Sequence, residues 1–395
     1  MAEPIPAAPF ACRPDETRGR DHPEPESPTR SCFQRDRDRI VHAAAFRRLK
    51  YKTQVFVYHE GDYYRTRLTH SIEVAQIARS ISRRLGLNED LAEAMALAHD
   101  LGHTCFGHAG EDALNKAMQP YGGFDHNEQT FRILTLLERR YADFDGLNLT
   151  WETLEGIVKH NGPLTGPCAR NEGVPETIAR YCREVRDLEV DTFAGAEAQV
   201  AALSDDIAYN NHDIDDGLRA GLFPLEELRD LPLVGPVLAE VSRRYPDLEE
   251  SRLIHETIRR MIDLMVNDLL QETRSRIDAH APASAEDVRL MDRPLVAFSD
   301  EMRQNDRALR AFLFQRMYRH YKVNRMTSKA KRVVRELFDH YLERPDCLPD
   351  EWRAEAEGVR GTARARLVAD YIAGMTDRYA LVEHAKNFDL RVGNA

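Results

Sequence analysis

The stretch THSIEVAQIARSISRRLGLNEDLAEAMALAHDLGHTCFGHAGE, residues 69–111, sets the fold class. Thr69 is placed to cap a helix that runs to Leu85, with Ile72, Ala75, Ile81 and Leu85 on overlapping apolar turns and Gly86 as its stop. Asn88 caps the next helix, with Glu89 and Asp90 in the dipole-favoured first turn and Leu91, Met95, Ala98 and Leu101 facing inward. His99 and Asp100 then fall on its last turn, before Gly102. The same 3.6-residue period recurs at 109–119, 126–141, 150–160, 175–188, 192–220 and 250–279, and in three or four more segments between 299 and 384. There is no βαβ alternation and no repeat at a solenoid period, so the expected class is all-α. The exception is KTQVFVYHEGDYYRTR (52–67), whose β-branched and aromatic residues around Gly-Asp predict a short hairpin or loop.

A chain of 395 residues, 42% hydrophobic and 31% charged, buries a large core in one big domain or two modest ones. No run approaches the ~18 apolar residues of a membrane span, and MAEPIPAAPFACR lacks a signal core, so the expected compartment is the cytoplasm. The six cysteines (Cys12, Cys32, Cys105, Cys168, Cys182 and Cys347) include no CxxC, which points to free thiols and against a zinc knuckle. A net charge of −11 is unpromising for a dedicated nucleic-acid binder, so nucleic acid is possible as a partner but not predicted, and a local basic pocket for an anionic substrate stays open. The basic run YRHYKVNRMTSKAKRVVR (318–335), with Tyr318 and Tyr321 interleaved, reads either as a solvated helix face or as a nucleotide or subunit contact. The proline-rich residues 1–34 read as an extended arm, 35–280 as the main domain with its chemistry in 65–215, and 281–395 as a helical C-terminal subdomain. Arg35-Asp36-Arg37-Asp38-Arg39, just past the arm, alternates in sign and reads either as a solvated helix face with local ion pairs or as a subunit or phosphate contact.

Chemistry concentrates in AHDLGHTCFGHAGE (98–111), where His99, His103 and His108 accompany Asp100 and Glu111. His99 and His103 are one turn apart, and His108 and Glu111 form an i, i+3 pair. A lone His-Asp pair is common structural furniture. Here His70 lies upstream in RLTHSIEVAQIA and Asp205 downstream in ALSDDIAYNNHD, giving a spaced H…HD…D set. Nitrogen and oxygen donors without thiolate suit Mg, Mn, Fe, Co or Zn and are unlike a closed structural zinc site.

That constellation resembles the HD phosphohydrolase superfamily, and the match narrows to the bacterial deoxyguanosinetriphosphate triphosphohydrolase-like proteins. It is carried by PESPTRSCFQRDRDRIVHAAAFRRLKYKTQVF (25–56), RTRLTHSIEVAQIA (65–78), HDLGHTCFGHAGE (99–111), ETLEGIVKHNGP (152–163), SDDIAYNNHDIDDG (204–217) and DYIAGMTDRYA (370–380). The resemblance implies a multi-helix HD bundle with a helical HD-associated C-terminal subdomain. It implies metal ligands His70, His99, Asp100 and Asp205, choosing Asp205 over Asp206 because a tyrosine, Tyr209, stands four residues on. The implied cofactor is a divalent ion (Mg, Mn, Fe or Co), and the implied reaction is attack of water on the α-phosphorus of a deoxynucleoside triphosphate, releasing deoxynucleoside and intact triphosphate. His108 and Glu111 match the family's catalytic dyad, His126 a third member of the relay, and His103 a phosphate-contacting histidine. Arg67 and Lys159 are the candidate phosphate clamps, while Gln54, Tyr209 and Asp213 match positions around the sugar. Members are commonly hexamers or other oligomers, so homo-oligomerisation and a nucleotide effector are expectations. At HTCFGH the chain departs from the usual pattern, in which a small residue and proline often replace Thr104-Cys105. The alternatives are another HD phosphohydrolase acting on nucleoside monophosphates, cyclic nucleotides or guanosine polyphosphates, or a catalytically silent nucleotide-binding regulator.

Overall fold

The computed structural model describes residues 5–54, 65–169 and 173–391. Seventeen α-helices occur among the described residues, and the only β pairing there is three isolated bridges, Arg20 with Thr150, Thr53 with Thr66 and Arg139 with Gly146. The class is all-α, as the apolar periodicity required. The hairpin expected at 52–67 lies largely outside the described residues.

Three helices form the heart of the molecule: Arg67–Leu85, Glu89–Ala98 and Ala196–Arg219, each packed against the other two. Val74, Ala78 and Ile81 of the first meet Leu91, Met95 and Ala98 of the second and Ala201, Ile207 and Ala208 of the third, all buried. Asn88 caps the second helix through Leu91 N, as the sequence predicts. The first helix begins earlier than expected. Thr66 is its cap and Thr69 is the returning partner of a capping box. Ile72, placed on the apolar face from spacing, is half exposed, because the buried stripe runs through Val74, Ala75, Ile77, Ala78 and Ile81. The helix predicted over 126–141 is α-helical only for His126–Arg132 and finishes as a π-turn, Ile133–Leu137. Val234–Arg244 is a helix that the periodicity did not single out, and five helices rather than three or four follow residue 299. No helix of the described residues is long and apolar enough to cross a membrane, and all six cysteines are free.

The N-terminal arm is laid over this core. Phe10, Ala11 and Cys12 are buried, the Cys12 amide donates to Glu197, and Arg18 stacks over Trp151 with its guanidinium carbon 3.8 Å from the ring centroid. A second apolar cluster joins the Gly107–Met118 helix, through Leu114 and Met118, to the C-terminal helices Tyr321–Glu343 and Thr362–Ala373, through Leu337, Phe338 and Ile372. The helix that carries His108 therefore belongs by packing to the C-terminal half. His99 and Asp100 belong to the three-helix heart.

Candidate active site

Three elements bring the H…HD…D set together. His70 projects from the second turn of the Arg67–Leu85 helix, His99 caps the end of Glu89–Ala98 with Asp100 in the turn that follows, and Asp205 lies in the third turn of Ala196–Arg219. One ligand atom from each of His70, His99 and Asp205 falls within 4.8 Å of the others. His70 Nε2 is 2.8 Å from Asp205 Oδ1, and His99 Nε2 is 3.5 Å from that oxygen and 3.4 Å from Asp100 Oδ1. His99 Nδ1 donates to the Ala96 carbonyl at 2.7 Å, which turns Nε2 toward the carboxylates, where it can carry a proton or, once that is lost, ligate a metal ion. His70 is steadied the same way: its Nδ1 is 3.2 Å from His212 Nδ1, whose Nε2 is 3.1 Å from Glu73.

The electrostatics favour a cation. Burial alone would depress the His99 imidazole, yet Asp100 and Asp205 outweigh it and raise its pKa to about 9. Burial opposes ionisation of Asp100, but Arg67 at 2.9 Å and the nearby histidines hold its pKa down at about 2. Asp205 is likewise held well below the usual carboxylate range, against burial, by His99, His160 and His70. His99 Nε2 and Asp100 Oδ2 are buried without a hydrogen-bond partner, an arrangement that costs free energy unless something else fills the valence. These donors fit a divalent metal. Asp206 turns elsewhere, to Arg310 at 2.8 Å.

A second cluster abuts the first. Glu111 accepts from the His126 backbone amide at 3.0 Å, and its carboxylate lies 2.6 Å from His126 Nδ1 and 3.1 Å from His108 Nδ1. His103 stacks on His126 with centroids 4.0 Å apart, and its Nε2 is 3.3 Å from Asp100 Oδ1, so it joins the two clusters. Burial is resisted at Glu111 by its two imidazole partners, which pull its pKa well down. Burial likewise fails to depress His126, which Glu111 raises. His103, buried and surrounded by Arg67, His126 and His108, is held well below the usual histidine range and is neutral. Both clusters depend on close backbone approach: a Cβ on Gly102 would meet His126 O at 2.1 Å, and one on Gly110 would meet Cys105 O at 2.0 Å.

Tyr209 and Asp213 follow Asp205 at one-turn intervals on one helix face, and Tyr318 joins them. The Tyr318 hydroxyl lies 2.8 Å from that of Tyr209 and donates to Asp213 Oδ2. Gln54 is buried with its Oε1 unpartnered, as is Asp213 Oδ1. Burial pushes the Asp213 pKa up to about 8 despite the Tyr318 bond.

Lys159 does not join the site. Its ammonium is buried against Glu155 at 3.2 Å, Thr192 Oγ1 at 2.7 Å and the Phe193 carbonyl at 3.3 Å, so it has no free donor to offer phosphate. Its neighbour His160 does face the cluster, with Nε2 3.9 Å from Asp205 Oδ2 and its ring stacked on His99 at 5.7 Å. The two residues sit at a helix end, where successive side chains point to different sides, and spacing from the rest of the helix does not choose between them. His212 was also missed, although it extends the Asp205–Tyr209 stripe by three residues, and that periodicity was the signal for it.

Residues 67–209 match the HD domain family, and residues 296–386 match the phosphohydrolase-associated domain. A protein of Parvibaculum lavamentivorans named deoxyguanosinetriphosphate triphosphohydrolase-like is 63% identical over 390 residues, which cover 99% of this chain and 98% of that one. Proteins of the same name are similar in Caulobacter sp. strain K31, 58% identical over 99% of this chain and 98% of the relative, and in Azorhizobium caulinodans, 60% identical over 96% of each.

Proposed function

We propose, on the premise that this chain belongs to the deoxyguanosinetriphosphate triphosphohydrolase-like family of HD-domain hydrolases, that it cleaves deoxynucleoside triphosphates at the α-phosphate to deoxynucleoside and inorganic triphosphate. The observation that carries this reading is the adjacency of a cation-favouring set, His70, His99, Asp100 and Asp205, and a carboxylate-bridged histidine pair, His108 and His126 on Glu111, with His103 in contact with both.

His70, His99, Asp100 and Asp205 would hold a divalent ion, which when bound would supply Lewis-acid polarisation of the phosphate and of water. Reconstitution of metal-free protein with Mg, Mn, Fe or Co in turn identifies the ion by the turnover it restores. The chain's own residues then do the rest. Arg67, buried beside Asp100, and neutral His103 donate to phosphate oxygens. Glu111 orients two imidazoles, of which exposed His108 is free to protonate the departing 5′ oxygen or to handle the attacking water, while His126 keeps the carboxylate ionised. Tyr209 packs against the deoxyribose, and Asp213, held protonated at neutral pH by its burial, shares the 3′-hydroxyl with Gln54.

The test incubates pure protein with each deoxynucleoside triphosphate and with Mn or Mg, then resolves the products by chromatography. Intact triphosphate supports the reading, pyrophosphate or orthophosphate points to another HD phosphohydrolase, and no turnover points to a silent nucleotide binder. In the same assay ribonucleotides should be worse substrates by about 10²-fold in kcat/KM, the range for steric exclusion of one hydroxyl, and Tyr209→Ala should shrink that ratio.

A further inference from the structure

The loop that delivers His108 is strained. Phe106 and Gly107, immediately before it, both have positive φ, +63° and +54°, and Phe106 is not a glycine. Such a backbone persists only where its surroundings over-determine it. Within the HD half the Thr104 hydroxyl donates to the Cys105 carbonyl at 2.8 Å and lies 3.4 Å from the Gly107 carbonyl. The C-terminal half holds the Phe106 amide itself, through Asp377.

Asp377, at the start of the Asp377–Phe388 helix, is fully buried. An aspartate in a first helical turn ordinarily does no more than face its own helix's amides. Here both carboxylate oxygens leave the helix: Oδ1 accepts from Phe106 N at 2.7 Å, and Oδ2 accepts from Thr53 N at 3.0 Å and from the Thr53 hydroxyl. Thr53 precedes Gln54 and forms the bridge to Thr66 at the start of the His70 helix. Lys52 makes a parallel tie, its buried ammonium donating to the His103 carbonyl at 2.5 Å and the Ala373 carbonyl at 2.8 Å. Two links thus run from residues 373–377 to the segment before Gln54 and to the loop between His103 and His108. Asp377 touches no metal ligand and no member of the relay.

We infer that Asp377 is a positioning residue: by holding the Phe106 amide and the Thr53 backbone at once, it fixes the register of His108 against Gln54 and thus of the acid/base group against the sugar end of the substrate. The inference deepens the proposed reading of the site and rests on it for the substrate and for the acid/base role of His108. Displacing a reacting group by about 1 Å costs up to 10²-fold in rate, so Asp377→Ala should lower kcat by about tenfold or more while leaving bound metal unchanged.

A merely structural role would give losses that add to those of other mutations. A residue acting through His108 gives losses that do not add. Asp377→Ala with His108→Ala should therefore be no slower than His108→Ala. Hydrogen exchange read by mass spectrometry should show faster exchange of the segment 101–112 in Asp377→Ala, with 70–85 unchanged. Should the alanine variant not fold, Asp377→Asn, which keeps one acceptor, should show the same changes at intermediate size. Unchanged exchange over 101–112, kcat within twofold of the parent, or additive losses overturn the inference. A parent protein that leaves every deoxynucleoside triphosphate intact overturns the substrate reading instead, and the exchange measurement still decides the role of Asp377.

Discussion

What a histidine does here follows from what each of its two nitrogens touches. His99 has one nitrogen on the Ala96 carbonyl and the other free toward Asp100 and Asp205, whereas His126 turns its Nδ1 to Glu111. His70→Ala or Asp205→Ala should therefore remove most of the bound divalent metal, measured by elemental analysis, and nearly all turnover. Asp206→Ala should keep the metal, since that carboxylate pairs with Arg310. His108→Ala and Glu111→Ala should keep the metal yet lose about 10²-fold in kcat, the usual scale for acid/base removal, and the double mutant should be little worse than either. Asp213 gives a pH signature. Its folded pKa of about 8, raised chiefly by burial, exceeds the ordinary 3.8, so the folded protein holds a proton there that the unfolded chain releases. The stability this group contributes is full below about pH 4 and is lost as pH rises toward 8. Asp213→Asn cannot titrate, so its Tm relative to the parent should climb between pH 5 and 8 and level off above. A flat difference across that range would show that Asp213 is ionised in the fold.

The helices impose their own consequences. The Gly107–Met118 helix, which carries His108 and Glu111, rests on Tyr321–Glu343 rather than on the three-helix heart. Leu337 lies fully buried at that contact. Leu337→Ala should cost about 2–5 kcal/mol in urea unfolding, the range for a buried leucine, and should reduce kcat more than it reduces bound metal. Loss of metal in step with kcat would show that the two clusters are coupled more tightly than their separate cores suggest. At this level the sequence was legible wherever a 3.6-residue apolar stripe was long, as in Glu89–Ala98 and Ala196–Arg219. It misled at ends. Thr66 and Thr69 are both competent caps, and Lys159 and His160 are adjacent donors at a helix terminus; in both places local chemistry is degenerate and packing makes the choice.

Across the molecule, the arm and both halves converge on few buried charges. Asp36 is fully buried and receives Arg20 at 2.5 Å, the Thr150 amide at 2.9 Å and the hydroxyls of Thr150 and Thr153. Arg20→Ala leaves that carboxylate without its cation and should cost about 3–5 kcal/mol, the scale for breaking a buried pair from one side, seen as a fall in Tm and faster proteolysis of the arm. A loss below about 1 kcal/mol, the scale of a surface pair, would mean the arm's other ties, among them buried Phe10, the Cys12 bond to Glu197 and the Arg18 stack on Trp151, hold it without this pair. The alternating run 35–39, read as a charged helix face, conceals this: Asp36 and Arg39 are interior, while Arg37 and Asp38 pair near the surface.

Periodicity and residue type were enough for the helical class and for the i, i+3 spacing of His108 and Glu111, because these depend on neighbours within a few positions along one helix; His70, His99, Asp100 and Asp205 stood out by donor type, but their convergence rests on the packing of three helices. Family resemblance then put Asp205 ahead of Asp206. The partnership of Tyr318 with Tyr209 and Asp213, the turn of His160 rather than Lys159 toward the metal cluster, and the reach of Asp377 to Phe106 and Thr53 depend on how distant helices pack. Those contacts join residues 105 to 324 positions apart, except for His160, whose partner Asp205 is 45 positions on. No local pattern encodes such pairings; burial of the shared cores does.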